Sequence, residues 1–255
     1  MKKISVIVPY WNAEKWIKRC AESLKSQEGE YEFIFVNDGS TDGSLEVLKG
    51  VADDRFVMID NDRGRGVSGA RNSGLDISGG EWIAFLDADD EMMPRAMEKF
   101  NGFMAEGYGI NQFDHVRYYV ETGREINLYP NASAVYGLDN LPLVWYGVWN
   151  KLYRHSVIYG IRFDEGLQYG EDELFNLECL SRCGEINHDG FIGVKHHIEN
   201  KNSLSYIRTR DDLIKHIKAL EDYIVKEKNP VLRQIAYDRV SGYLNTAWYR
   251  EAIIG

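Results

Sequence analysis

Three apolar runs near the front of this chain each stop at a polar turn, two of them bearing carboxylates, and that repetition constrains the fold more than any other feature. Ile4 to Val8 leads into Pro9-Tyr10-Trp11-Asn12, Phe33 to Val36 into Asn37-Asp38-Gly39-Ser40, and Trp82 to Leu86 into Asp87-Ala88-Asp89-Asp90. Short runs that are apolar at every position fit strands covered on both faces. Between them, Ala13, Trp16, Ile17, Cys20 and Leu24 recur at helical spacing behind Asn12, which is placed as an N-cap. Ser44 to Leu48 begins a second helix and Phe56 to Ile59 is a further strand. Alternating strands and helices predict an α/β chain with a doubly wound, mostly parallel sheet. Ligands of such sheets bind beyond the carboxyl ends of the strands, where the three polar turns would gather. Acids collected there suit a charged ligand, most simply a nucleoside diphosphate held through a divalent metal.

After about residue 110 the pattern is mixed. Ile110 to Val120 and Trp149 to Tyr153 read as strands and Asp172 to Leu180 as a helix. From Thr209 the chain is helical, with Leu213, Ile217, Leu220 and Ile224 on one stripe, a break at Asn229-Pro230, and a last helical pattern still running at Gly255, which reads as truncated. The net charge of −10 excludes a broad nucleic-acid surface, although not a nucleotide bridged by metal. Three cysteines without metal-ligand spacing point to a reducing cytoplasm. Lys2 and Lys3 before Ile4 to Val8 imitate a signal peptide, but the run is too short. No stretch approaches the ~20 apolar residues that span a bilayer, so any membrane contact, at its inner face, would be peripheral.

One motif points elsewhere. Gly64-Arg65-Gly66-Val67-Ser68-Gly69 matches the dinucleotide fingerprint in outline, with Asp87 in place of its distal acid. Four polar residues, Asp60 to Arg63, separate it from the strand, and that strand is not the first. Both details disfavour a nicotinamide-dependent oxidoreductase.

Asp87 and Asp89 are spaced by one and share a direction at an extended strand end; with a diphosphate they form a hard oxygen set suited to Mg²⁺ or Mn²⁺. With Val6 to Asn12, Val36 to Ser44, Ala70-Arg71-Asn72-Ser73-Gly74, Gly80 to Asp90, Trp149 to Arg154 and Gly170-Glu171-Asp172-Glu173, the chain resembles the family 2 glycosyltransferases of GT-A fold. The resemblance spans roughly residues 3 to 175 in the family's order. It implies a nucleotide-sugar domain over 1–205 followed by a C-terminal helical extension over 206–255. Pro9, Tyr10, Asn12, Asp38, Arg71 and Asp87 would hold the nucleotide, with Asp38 accepting the uracil ring N–H. Asn37 stands where the family more often has Asp. Arg71 could instead simply pair with a sheet-end carboxylate such as Asp87.

The resemblance further implies Asp89 as main metal ligand and Asp87 as a shared one, the metal neutralising the leaving diphosphate. Asp172, with Glu171 beside it, would be the base of an inverting single displacement from a UDP-sugar to a saccharide, lipid-linked glycan or cell-surface polymer. For Glu173 a favourable place in the first turn of a helix suffices. His197, in His196-His197, is a candidate metal or phosphate contact, and Ser203 and Arg208 could fold over the product. Trp145, Tyr146, Trp149, Tyr153, Tyr159 and Tyr169 could line an acceptor site or pack in the core. Cys179 and Cys183 read as buried and inert. The alternative to an enzyme is a silent nucleotide-binding homologue.

Overall fold

The computed structural model describes residues 4–127, 133–141, 146–198 and 209–245. Its centre is a ten-stranded sheet. β1 (Ile4–Tyr10), β2 (Tyr31–Asn37), β3 (Phe56–Asp60) and β4 (Trp82–Phe85) form the parallel core in the order β3-β2-β1-β4. The first three are joined by α1 (Ile17–Lys25) and α2 (Ser44–Val51), whereas α3 (Val67–Ile77) carries the chain from β3 back to β4. The order therefore reverses between β1 and β4, and a crevice opens at their carboxyl ends.

Beyond β4 the sheet is mixed. β9 (Lys151–Arg154) enters antiparallel to β4 and to β6 (Ile110–Tyr119). β10 (Glu185–Ile198) runs parallel to β6, so both end at the same edge as β1. Short strands β5 (Glu91–Met92), β7 (Arg124–Asn127) and β8 (Ala134–Gly137) pair antiparallel with β10, β6 and β10.

Strand alternation sorts the core into two layers. Ile4, Val6, Val8 and Tyr10 join Ile17, Cys20 and Leu24 of α1, Leu48 of α2, and Phe100 and Phe103 of α4 (Ala96–Glu106). On the opposite face Ile7, Ile34, Val36 and Phe85 pack with Ala70 of α3 and with Phe175, Leu177 and Leu180 of α6 (Glu171–Cys183). Leu213, Ile217 and Leu220 of α7 (Arg210–Lys226) and Leu232, Ala236 and Val240 of α8 (Pro230–Leu244) belong to that same cluster. A reciprocal capping box at Thr209 and Asp212 opens α7, and Asn229 caps α8 with Pro230 in its first turn.

Two local expectations need correction. Asn12 does not cap α1, which starts at Ile17 after an N-cap at Trp16. Asn12 instead sits at φ 47°, where its side-chain oxygen accepts the Thr41 N–H at 2.8 Å and stitches the loop after β1 to the loop after β2. Glu173 is not a surface acid of the helix start. It is 3% exposed and accepts from His216 Nε2 at 3.0 Å, from Tyr243 Oη at 2.8 Å and from the Arg239 guanidinium, pinning α7 and α8 to α6. Burial raises its pKa, but the hydrogen bonds of His216 and Arg239 outweigh burial and hold it below the ordinary glutamate value.

A carboxyl whose folded pKa is depressed contributes stability that is full above its unfolded value, about 4.3, and lost as pH falls through the folded one. Glu173→Gln is therefore expected to lower stability at pH 7 by about 3–5 kcal/mol, as removal of one partner from a buried charged set does. It is also expected to flatten the acid limb of the stability curve below about pH 4.3. Urea denaturation from pH 3 to 8 measures both; an unaltered acid limb would remove the linkage.

Candidate active site

The strand ends place most of the expected residues around one crevice. At the floor, the Asp38 N–H donates to the Tyr10 carbonyl at 2.8 Å. The Asp38 carboxylate accepts from Asn61 Nδ2 at 2.7 Å and from the Gly66 N–H at 2.9 Å. The Gly64 motif is thus used to wrap Asp38. Gly66 sits at φ 126°, and a Cβ on Gly69 would lie 2.1 Å from the Gly64 carbonyl oxygen, so both positions need glycine to close the loop. Asn37, the departure from the family's usual Asp, bonds Asp60 Oδ1 at 2.9 Å and accepts the Ser40 N–H at 2.9 Å. An amide can do both at once, because it donates as well as accepts.

The end of β1 changes the aromatic assignment. Tyr10 continues the inward row of β1 and is buried, its hydroxyl pushed up to about 12 by burial and by the charge of Asp60. Only its main chain reaches the crevice. Trp11, one residue on, is 55% exposed at the strand end, and it is the aromatic face open at this edge.

Arg71 of α3 is the centre of the site. It is 3% exposed, and its Nη2 reaches Asp87 Oδ1 at 3.2 Å. Nη1 reaches Asp172 Oδ1 at 2.6 Å and Glu171 Oε1 at 3.1 Å. The guanidinium also lies over the Phe163 ring, 5.2 Å from its centroid. The pairing reading of Arg71 is the contact observed, and it spans both sides of the crevice. Burial lowers the guanidinium pKa, but Asp172, Asp87 and Glu171 outweigh it and raise it.

Asp172 itself is raised to about 7, by burial and by Glu171 and Asp87, against the pull of Arg71. The Val148 N–H approaches its second oxygen at 3.4 Å. The loop before α6 is stapled to α3, because Asn72 exchanges two hydrogen bonds of 2.9 Å with the Phe163 main chain. That staple sets the height at which Glu171 and Asp172 meet Arg71.

On the other side of the crevice lie Asp87, Asp89 and Asp90. Asp90 is wholly buried and accepts from the His197 N–H at 2.9 Å and meets His196 Nδ1 at 2.9 Å, tying the end of β10 to the turn after β4. Burial, with Asp90 and Asp87 nearby, raises Asp89 to about 7. Such a carboxylate is short of positive charge, so the Asp87–Asp89 pair fits a hard cation. Among the described residues no group of three or more His, Cys, Asp or Glu is arranged to hold a metal. The set Asp87, Asp89 and His197 is therefore not gathered as a three-ligand site. His197 is buried, and its Nε2 contacts Glu91 Oε1 at 2.5 Å within the seam between β10 and β5.

Of the aromatic cluster, Trp149 stacks on His196 at 5.3 Å, while Tyr153 is a core residue donating to Asn176 at 2.8 Å. Tyr169 packs against His216 and Tyr243, Tyr146 carries Arg239 over its ring, and Tyr159 is exposed. Trp145, Ser203 and Arg208 lie outside the described residues. Cys179 is buried and Cys183 half-buried, both free and with thiols pushed up by burial.

Removal of the central cation should be costly, because it leaves three carboxylates facing one another. Arg71→Met is expected to reduce unfolding free energy by about 3–5 kcal/mol, read by urea denaturation at pH 7. A loss under about 1 kcal/mol, the worth of an exposed pair, would remove Arg71 from the centre of the site.

Comparison with known proteins follows this geometry. The sequence model described as Glycosyl transferase family 2 matches residues 5–166. Glycosyltransferase GlyA of Streptococcus pneumoniae serotype 4 is 28% identical across 98% of this chain, which covers 40% of that protein. Succinoglycan biosynthesis protein ExoO of Rhizobium meliloti is 30% identical over 87% of this chain and 68% of its own length. The teichoic acid poly(glycerol phosphate) polymerase of Staphylococcus epidermidis is 34% identical over 71% of this chain and 26% of its own. Residues 1–349 of TarS from S. aureus, solved in complex with UDP-GlcNAc, superpose with a TM-score of 0.80 over 95% of this chain and 72% of that one. At 21% identity that likeness concerns the fold alone. The chain thus spans well under half of GlyA and of the polymerase.

Proposed function

Because the chain belongs to glycosyl transferase family 2, we propose that it moves a sugar from a UDP-sugar to a hydroxyl of a cell-surface saccharide polymer or its lipid-linked precursor, with inversion. The observation that carries this reading is the Arg71 clamp, which holds the donor-side acid Asp87 and the acceptor-side acids Glu171 and Asp172 on one guanidinium. A guanidinium shared in this way would bring donor and acceptor chemistry to a common centre.

In this reading Asp38 accepts the base N–H from a carboxylate already oriented by Asn61 and Gly66, with Pro9 beside it and Trp11 offering its exposed ring to the base. Asp87 and Asp89 would hold Mn²⁺ or Mg²⁺, with diphosphate oxygens completing a shell that the protein alone does not fill. The metal, when bound, supplies charge neutralisation to the leaving diphosphate. Asp172 takes the proton of the acceptor hydroxyl as its oxygen attacks the anomeric carbon, and UDP departs from the opposite face. Glu171 keeps Arg71 engaged while that proton moves. UDP as nucleotide is supported by the TarS neighbours bound to UDP and UDP-GlcNAc. A polymer acceptor is supported by the names of the succinoglycan and teichoic acid relatives. No described helix is long and apolar enough to cross a membrane, and we place the reaction at the cytoplasmic face of one.

Asp172→Asn is expected to cut transfer by about 10²–10⁴ while UDP still binds in the presence of Mn²⁺. Since the base acts ionised and sits at about 7, transfer by the unmodified chain should fall as pH drops through 7. Full turnover by the variant would remove the base assignment. A thermal-shift panel of UDP, GDP, CDP, dTDP and NAD, each with and without Mn²⁺, tests the donor. Stabilisation by UDP that grows with Mn²⁺, and loses that increment in Asp89→Ala, is expected. Stabilisation by NAD alone would overturn the reading.

A further inference from the structure

Lys151 opens β9 and is wholly buried, at 0% exposure. An amine in that place carries a desolvation cost that an apolar residue would not, so its contacts repay a close look. Nζ reaches back along the chain rather than across the sheet. It donates to the Gly147 carbonyl, four residues earlier, and to Asn150 Oδ1 at 3.0 Å. Both bonds are open to the ammonium and to the neutral amine, since each form carries at least two N–H groups.

The turn from Gly147 to Asn150 is thereby closed at both ends. Asn150 is anchored in the sheet: its carbonyl accepts the Phe113 N–H at 3.0 Å, and its Nδ2 donates to the Phe113 carbonyl at 3.2 Å. Gly147 is held from α6 as well. Asn176 Nδ2 approaches its carbonyl at 3.3 Å and donates to the carbonyls of Tyr146 at 2.7 Å and Asp172 at 2.9 Å.

Val148 lies between those ends and is wholly buried. Its N–H approaches Asp172 Oδ2 at 3.4 Å, while Arg71 holds Oδ1. At that length the bond depends steeply on where the turn sits. Burial pushes the Lys151 amine down to about 7, and the Asp172 charge pulls it the other way, so the two groups sense each other across the turn.

We propose that Lys151 is a positioning residue for the base: by closing the turn it sets the Val148 N–H against the second oxygen of Asp172. With Arg71 on one oxygen and Val148 on the other, the plane of the carboxylate is fixed toward the acceptor hydroxyl. This rests on the transfer reading above, with Asp172 as base, and adds the group that orients it.

The test compares the unmodified chain with Lys151→Met, Lys151→Gln, Asp172→Asn, and Lys151→Met combined with Asp172→Asn. Met keeps the length of the stem and removes the donors; Gln keeps a polar head should Met not be accommodated. One readout is the Val148 amide resonance in isotope-labelled protein. The other is sugar release from UDP-glucose, UDP-galactose and UDP-N-acetylglucosamine with Mn²⁺, water standing in for the acceptor hydroxyl. Asp172→Asn and Lys151→Met are each expected to displace the Val148 resonance, and the double variant to displace it no further. Lys151→Met is also expected to lower kcat by about tenfold or more at an unchanged KM for the UDP-sugar. No additional loss is expected once Asp172 is already Asn, as for residues that act through one another. A Val148 resonance unmoved by Lys151→Met, an unchanged kcat, or a loss that recurs in full in the Asp172→Asn background overturns the assignment. So does loss of UDP–Mn²⁺ stabilisation in both Lys151 variants, which would make the amine a requirement of folding. Normal turnover by Asp172→Asn is a separate result that removes the base reading and the inference with it. The amide readout needs no turnover, so failure of the transfer reading and failure of the positioning role stay distinguishable.

Discussion

A guanidinium buried among three carboxylates is the interaction on which this site depends. Alone, Glu171 and Asp172 at the start of α6 and Asp87 at the end of β4 would repel one another across a crevice partly shut from water. Arg71 turns that repulsion into a fixed geometry, since its planar fork presents separate donors to each side. The arrangement does not settle the charge: burial first, then Glu171 and Asp87, raises the Asp172 carboxyl to about 7 against the pull of Arg71. A carboxylate poised near neutrality suits proton abstraction better than one held far below it.

The rest of the site is prepared in the same manner, by spending backbone and side-chain contacts before any ligand arrives. Asp38 is oriented by the Gly66 N–H and by Asn61, and the loop that does this can close only because positions 66 and 69 carry no Cβ. Asn72 holds the chain before α6 against α3. Asp90 fastens β10 to the turn after β4. Each contact joins segments distant in sequence, so the crevice is braced around Asp38, at the chain before α6 and at the turn after β4.

Much of this was legible in the sequence, for a definite reason. An apolar run that stops at an acid marks a strand end, and strand ends of parallel sheets share one edge, so Asp38, Asp87 and Asp89 could be placed together without a structure. The partners of Arg71 could not, because Glu171 lies a hundred residues away and pairing Arg71 with Asp87 alone satisfied the local logic. Glu173 was misjudged because an acid in the first turn is already explained by the helix dipole; only the fold brings His216 and Arg239 to it. β10 escaped notice because its register slips at Asp189 and Ile192 and its inward positions carry Asn187, His188 and His197, which breaks the two-residue apolar rhythm. Tyr10 ends β1 and is still covered, whereas Trp11 lies just past it, a one-residue boundary that the sequence does not mark.

Asp172 and Glu173 are neighbours in one helical turn, and successive helix residues point about 100° apart. One carboxylate therefore answers to the sheet and Arg71, while the next is gripped by α7 and α8. The first turn of α6 works as a fulcrum: whatever leans on the C-terminal helices presses, through two adjacent Cα atoms, on the group beside the crevice.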